Sequence, residues 1–246
     1  MKAAVAFTAL ALVFAAVPAA AQAPTAEIAA AVADDARPAA DRERDPLRKP
    51  AEIVTFAGVT PGAIVAEMAP GGGYYTRILS KAVGPNGKVY ALVPAAMASR
   101  PGALDRINAV AAQYGNVQVV TVDMAKFTLP EPVDLVWTTE NYHDFHNGPP
   151  GNITGINSSA FAALKPGGLY FVEDHAAKDG TGTSATSTLH RIDPAAVIAD
   201  ATAVGFELDG RSDLLANPGD PKDVGTRDPA VEGTSEKFAL RFKKPA

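Results

Sequence analysis

From residue 64 onward, short apolar runs alternate with helical segments, and this rhythm restricts the fold more than any other feature of the chain. Residues 64–68, 88–93, 117–122, 133–139 and 169–173 read as strands, rich in Val, Ile, Leu and aromatic residues. Helical patterns fill 75–83, 103–114, 159–164 and 194–204, and glycine-rich stops follow them, among them Gly84-Pro85-Asn86-Gly87, Gly115 and Gly205. Strands alternating with helices imply a parallel sheet covered on both faces. Strands buried on both faces read as mostly apolar runs, as 64–65 and 133–137 do. The last two strands, 206–208 and 238–242, have no helix between them, only a loop rich in Pro, Gly and Asp over 217–233. That pattern predicts an antiparallel closing hairpin. The expected fold is therefore α/β: a single-domain, doubly wound, mostly parallel seven-stranded sheet with an antiparallel C-terminal hairpin.

The main chemical signal is the turn Glu67-Met68-Ala69-Pro70-Gly71-Gly72-Gly73-Tyr74-Tyr75-Thr76, which joins the first strand to the first core helix. Glycines there let the backbone approach a ligand closely. The helix start beside them offers unpaired N–H groups. In an open parallel sheet, ligands sit at the carboxyl ends of strands near a switch point. An ordinary βα turn also uses glycines. A phosphate loop is disfavoured because no Gly-Lys-Ser/Thr follows, and a pyrophosphate site because Tyr74 and Tyr75 crowd its approach.

The spacing Glu67-x-Ala69-x-Gly71-x-Gly73 resembles the first motif of class I S-adenosylmethionine-dependent methyltransferases, with Ala69 in place of the first glycine. Val122-Asp123-Met124 resembles the acidic turn after their third strand, and Asp134-Leu135-Val136-Trp137 their fourth strand. Leu164-Lys165-Pro166-Gly167-Gly168-Leu169 resembles the turn before their fifth. These marks occur in the family's order over residues 57–205. With the export signal and Asn141-Tyr142-His143-Asp144, the chain is similar to a group of exported predicted methyltransferases. The resemblance implies a Rossmann-like methyltransferase fold with S-adenosylmethionine as cofactor. Gly71, Gly72 and Gly73 would hold its amino-acid end and Asp123 and Met124 its adenine end, with Glu67, Ala69, Tyr74, Thr76 and Asn141 also in the cofactor site. Asn141 and Tyr142 would sit near the transferred methyl group. One departure stands out. The family's acid at the end of strand two, which accepts both ribose hydroxyls, is absent from Tyr90-Ala91-Leu92-Val93-Pro94. Losing such a contact costs on the order of 1.5–3 kcal/mol, roughly a tenfold to hundredfold weaker affinity.

All four histidines lie in the second half of the chain. Strand four ends in Glu140-Asn141-Tyr142-His143-Asp144-Phe145-His146, strand five in Glu173-Asp174-His175, and His190-Arg191 follows. Carboxyl ends of adjacent strands converge on one crevice, so His143, Asp144 and His175 are expected in one pocket beside the glycine turn. As an acceptor site, His143 or His175 would take the acceptor's proton while Asp144 or Asp174 orients the ring, and Tyr142 would pack against the acceptor. As a metal site, the cluster offers ligands suited to zinc, but it matches no standard signature, so the sequence assigns no metal ligand set. In a purely structural role, the rings would hydrogen-bond to backbone. Arg191 is expected to meet an acidic substrate, Asp193 or Glu173. The run 180–184 is expected to be a loop over the pocket.

Met1-Lys2, an apolar run over 3–17, Pro18 and Ala19-Ala20-Ala21 form a secretory signal, with cleavage expected after Ala21. The run is too short to span a bilayer, and no later segment is long and apolar enough. The mature protein is thus expected to be periplasmic or secreted. Residues 22–48 form a charged, Ala-rich segment, with a helix over 25–37 and a solvated face or linker at Asp41-Arg42-Glu43-Arg44-Asp45. Residues 49–246 form the methyltransferase-like domain. The chain has no cysteine, which removes disulfides, thiolate metal sites and a cysteine nucleophile. A net charge of −5 with no basic run argues against nucleic acid as a partner. The sequence leaves the oligomeric state open. It points to methyl transfer onto a small molecule or an envelope component. The alternative is a non-catalytic ligand- or metal-binding protein that reuses the fold.

Overall fold

The computed structural model describes residues 22–246; the expected signal segment lies outside them. Seven strands form one sheet: β1 (Ile64–Met68), β2 (Lys88–Pro94), β3 (Val117–Val122), β4 (Val133–Thr139), β5 (Leu164–His175), β6 (Glu207–Ser212) and β7 (Lys237–Lys243). Their order is β3-β2-β1-β4-β5-β7-β6. β1 to β5 pair in parallel, whereas β7 runs antiparallel to both β5 and β6. The expected sheet and closing hairpin are both present. β3 and β6 are the edge strands, and β6 carries the exposed charges Glu207, Asp209 and Arg211, which discourage edge-to-edge association.

Alternation along the strands separates two cores. Val65, Leu135, Trp137, Phe171 and Ala239 face one, with helix Tyr74–Val83. Ala66, Met68, Val136, Tyr170, Val172 and Leu240 face the other, with helices Asn152–Ala163 and Pro194–Ala203. Trp137 lies in the sheet core, as its strand position suggests. Helix Asn152–Ala163 begins well before the expected residue 159. Its first turns hold Asn152, Thr154, Gly155 and Asn157, weak helix formers whose signal is overridden by burial of Ile156 and Ala160.

The charged N-terminal segment differs most from expectation. It contains helix Ala26–Val32, capped by Thr25, whose hydroxyl accepts from the Ile28 N–H at 3.4 Å. Ile28 and Ala31 join the first core beside helix Tyr74–Val83. The 41–45 run is no simple solvated face, because Asp45 forms a bidentate pair with Arg37 (2.7 and 2.8 Å) whose side chain is fully buried. Arg42, Glu43 and Arg44 stay exposed, whereas Asp41 and Asp45 turn inward toward Arg77, Arg37 and Tyr74. Among the described residues, no helix is long and apolar enough to cross a membrane.

Candidate functional site

Parallel register sets the ends of β1, β4 and β5 side by side, with Met68 opposite Thr138 and Thr139 opposite Glu173. At these ends lies a cavity of about 390 Å³. Its floor is the turn Ala69-Pro70-Gly71-Gly72, and its far wall is Thr139, Glu140 and Asn141. Ala69 holds a left-handed backbone, φ 51°, where the family's glycine would stand. An L-residue pays roughly 1 kcal/mol there, so the turn's shape is kept even though the glycine is not. The Asn141 amide ties the two walls together by donating to the Ala69 carbonyl (3.2 Å) and the Thr139 carbonyl (2.6 Å).

Glu67 lies at the base of this cavity and is almost fully buried. It accepts a 2.5 Å hydrogen bond from the Thr76 hydroxyl. Burial pushes its carboxyl up to about 7, against the Thr76 bond and the Arg77 charge. The folded-state pKa therefore exceeds the unfolded value of 4.5, and the folded protein binds the extra proton. Stability from this group is full below about 4.5 and is lost as pH rises through 7. Glu67→Gln, which keeps the acceptor for Thr76, is expected to raise stability at pH 8 by on the order of 3 kcal/mol and to change little at pH 4. Urea unfolding at the two pH values checks this.

The N-terminal segment roofs the cavity with Pro38, Asp41, Arg44 and Arg48. Tyr74 anchors that roof. Its hydroxyl donates to Asp45 at 2.6 Å, and the guanidiniums of Arg37, Arg44 and Arg48 lie 5.3, 4.8 and 4.8 Å from its ring centre. Arg77 donates to the Gly72 and Gly73 carbonyls at 3.0 and 2.9 Å and to Asp41 at 3.1 Å. Arg106 closes one side. The cavity is thus ringed by four arginines against three acids, Asp41, Glu67 and Glu140. These arginines were not among the expected site residues, because nothing in their local sequence marks them; the tertiary fold gathers them.

Glu140 is the shared wall between this cavity and a second one of about 240 Å³. It holds a left-handed backbone, φ 55°, and pairs with Arg48 and with Lys237 at 3.5 Å. Burial opposes its ionisation, yet Arg48, Lys237 and His175 together hold it down to about 2. Burial and the Glu140 charge push its neighbour Glu173 up to about 7, and one Glu173 oxygen has no hydrogen-bond partner among the described residues. Backbone strain at a half-buried, paired carboxylate commonly marks a functional position.

The second cavity is lined by Glu140, His143, Asp144, His175, His190, Thr226, Arg227 and Glu232. The expected grouping of His143, Asp144 and His175 is present, beside the glycine cavity rather than within it. Asp174, fully buried, organises it. One oxygen accepts from the His143 N–H (2.7 Å), and the other meets His143 Nδ1 (2.8 Å) and the His175 N–H (2.8 Å). Burial works against protonation of His143, but the Asp174 bond and the Asp174, Asp144 and Glu140 charges raise its pKa overall. His175 meets Ser235 Oγ at 2.9 Å, and burial pushes its pKa down to about 4.

Several expected site residues lie elsewhere. Tyr142 is fully buried in the second core, its hydroxyl accepting from Asn157 at 2.8 Å, and it lines neither cavity. Asp123 caps the short turn Met124–Lys126 by accepting from the Ala125 N–H (3.1 Å), and Met124 is buried; neither lines the 390 Å³ cavity. Gly73 caps helix Tyr74–Val83, and Thr76 acts through Glu67. β2 ends at Pro94, and Ala95–Ala98 beyond it supplies no acid for a ribose. His146 bonds Asp200 at 2.9 Å. Arg191 pairs with Asp220 (2.7 and 3.1 Å), both side chains fully buried, rather than with Asp193 or Glu173. Asp193 instead accepts from the Gly180 N–H (2.7 Å), and residues 180–184 line neither cavity.

No protein-family model matches the sequence, and no curated protein does. Solved structures do match its fold. A SAM-dependent methyltransferase from Aquifex aeolicus superposes with a TM-score of 0.56 at 17% identity, over 81% of this chain and 97% of that one. The glycopeptide N-methyltransferase MtfA, in complex with sinefungin, gives 0.57 at 14% identity over 82% and 87%. The [4+2]-cyclase SpnF gives 0.59 at 16% identity over 91% and 97%. At these identities the likeness shows the fold, that of class I methyltransferases, and SpnF shows that the fold also carries other chemistry.

Proposed function

We propose that the protein is an S-adenosylmethionine-dependent methyltransferase, exported to the periplasm or beyond, that acts on a small molecule or an envelope component. The observation that carries this reading is the 390 Å³ cavity, built on the glycine turn at the ends of β1 and β4. Its volume falls in the range of about 300–1,000 Å³ typical of small-molecule sites. Gly71 and Gly72 leave room for the cofactor's amino-acid end. The ring of arginines suits its carboxylate, and Glu67 with Asn141 its ammonium group. The same fold holds sinefungin in MtfA.

Methyl transfer from a sulfonium is an in-line displacement. The acceptor's lone pair forms the new bond to carbon, and the electrons of the broken C–S bond go to sulfur. The protein mainly positions the reactants. The acceptor belongs in the second cavity, beside Glu140, where His143 Nε2, 3.4 Å from Asp144, can receive a proton.

Two observations favour the non-catalytic reading: β2 ends without an acid, and Asp123 and Met124 lie off the cavity. Calorimetric titration of residues 22–246 with S-adenosylhomocysteine separates the two. Micromolar binding is expected. No binding at millimolar ligand would overturn the methyltransferase reading and leave a reused fold.

A further inference from the structure

We propose that His143, Asp144 and His190 form a binding site for one divalent transition-metal ion of the zinc type, opening into the second cavity. The three side chains present donor atoms that all lie within 4.8 Å of one another. Asp144 Oδ1 is 3.4 Å from His143 Nε2 and 3.6 Å from His190 Nδ1. Ligands about 2.0–2.1 Å from a tetrahedral ion stand roughly 3.3–3.4 Å apart, so the two measured edges fit with small closure.

The surroundings are arranged as a metal site's are. His143 Nδ1 is bound to the buried carboxylate of Asp174 at 2.8 Å, which fixes the ring with Nε2 toward Asp144. A carboxylate behind a ligating histidine orients it and raises its basicity. An imidazole set between two carboxylates calls for a cation on its Nε2 side, either a second ring proton or a metal ion. His190 is placed by its backbone rather than by a partner behind its ring. Its backbone is left-handed, φ 53°, and the next residue, Arg191, is locked by Asp220 and by the Ala176 and Val224 carbonyls. That conformation is costly for a non-glycine residue, and here it lets the His190 ring approach Asp144.

Two imidazoles and one carboxylate select zinc, cobalt, nickel or iron over calcium and magnesium, which favour all-oxygen shells. With three protein ligands, a position stays open toward Thr226, Arg227 and Glu232, where a small anionic or hydroxyl-bearing molecule can complete the shell. Under the methyl-transfer reading that molecule is the acceptor, and the ion takes over from His143 in promoting loss of its proton. The metal site itself does not depend on that reading.

The test uses residues 22–246 stripped with a chelator and titrated with zinc by calorimetry and with cobalt by visible absorption. One equivalent of either metal is expected to bind, cobalt with ligand-field bands of low coordination number. His190→Ala and Asp144→Ala are each expected to weaken zinc binding at least tenfold, and Asp174→Asn by about 10–100-fold through His143. Circular dichroism confirms that each variant is folded, and His190→Gln replaces any that is not. Absence of stoichiometric binding to the unmutated protein, or zinc affinity unchanged in folded His190 variants, would overturn the site and leave a protonated imidazole between Asp174 and Asp144. S-adenosylhomocysteine titration of the metal-free protein tests the cofactor reading separately.

Discussion

Gly72→Asp is expected to leave the protein folded and to weaken S-adenosylhomocysteine binding by more than about a hundredfold, or roughly 2.7 kcal/mol. The middle glycine of the turn does not use the left-handed region, and a Cβ built on it meets only the Arg106 guanidinium at 3.8 Å. The new side chain has space, and that space is the ligand cavity. Its carboxylate would pair with Arg106 and repel the carboxylate of the ligand. Gly73 provides the contrast. It sits at φ 82°, and a Cβ there would lie 2.8 Å from Val110 Cγ2 inside the first core, so Gly73→Asp is expected to unfold the protein. A thermal melt and a calorimetric titration of each variant distinguish loss of site from loss of fold. Binding by Gly72→Asp equal to that of the unmutated protein would show that the glycine cavity is not the cofactor site.

Asp45→Ala is expected to destabilise the protein by about 3–5 kcal/mol, the usual cost of leaving one partner of a buried ion pair alone. Arg37 is buried and also donates to the Val32 carbonyl at 2.5 Å, so its charge has no route to water without lifting the segment. The same change removes the acceptor for the Tyr74 hydroxyl. Urea unfolding measures the global part of the loss. Limited trypsin digestion measures the local part, since a loosened segment frees the backbone after Arg42, Arg44 and Arg48 for cleavage. Burial acts to raise the Asp45 pKa, but Arg37 and Tyr74 outweigh it and hold it below 3.8. This folded-state pKa is depressed, so its contribution is present above pH 3.8 and is lost as pH falls through the lower folded value. The segment is therefore expected to loosen in acid, and trypsin-independent probes such as hydrogen exchange at 26–48 would report it. Unchanged exchange in Asp45→Ala would show that the roof is held by its apolar contacts alone.

The glycine turn was legible because its signal is local. Ala69, Gly71 and Gly72 line a cavity at the turn, and Asn141, which the resemblance placed beside it, lines its other wall. The histidine cluster was legible for a similar reason, since residues just past adjacent strands must meet. The resemblance placed Tyr142 beside the transferred methyl group, but the helical turn it opens directs it and His143 to different faces. One side chain enters the second core and the other the second cavity. Arg191 misled because nearby acids were preferred, whereas its partner, Asp220, lies in the long loop before β7.

The sequence by itself determined the order and type of the core elements, the closing hairpin and the place of the crevice, because hydrophobic period and turn chemistry act over a few residues. Tertiary structure alone decided that residues 22–48 roof the cavity, that four arginines ring it, and that Glu140 divides it from the histidine cavity. The physical reason is range. Apolar burial follows from each residue's own pattern. Which charge meets which depends on surfaces brought together only by packing, as when Tyr74 draws Arg37, Arg44 and Arg48 around one ring.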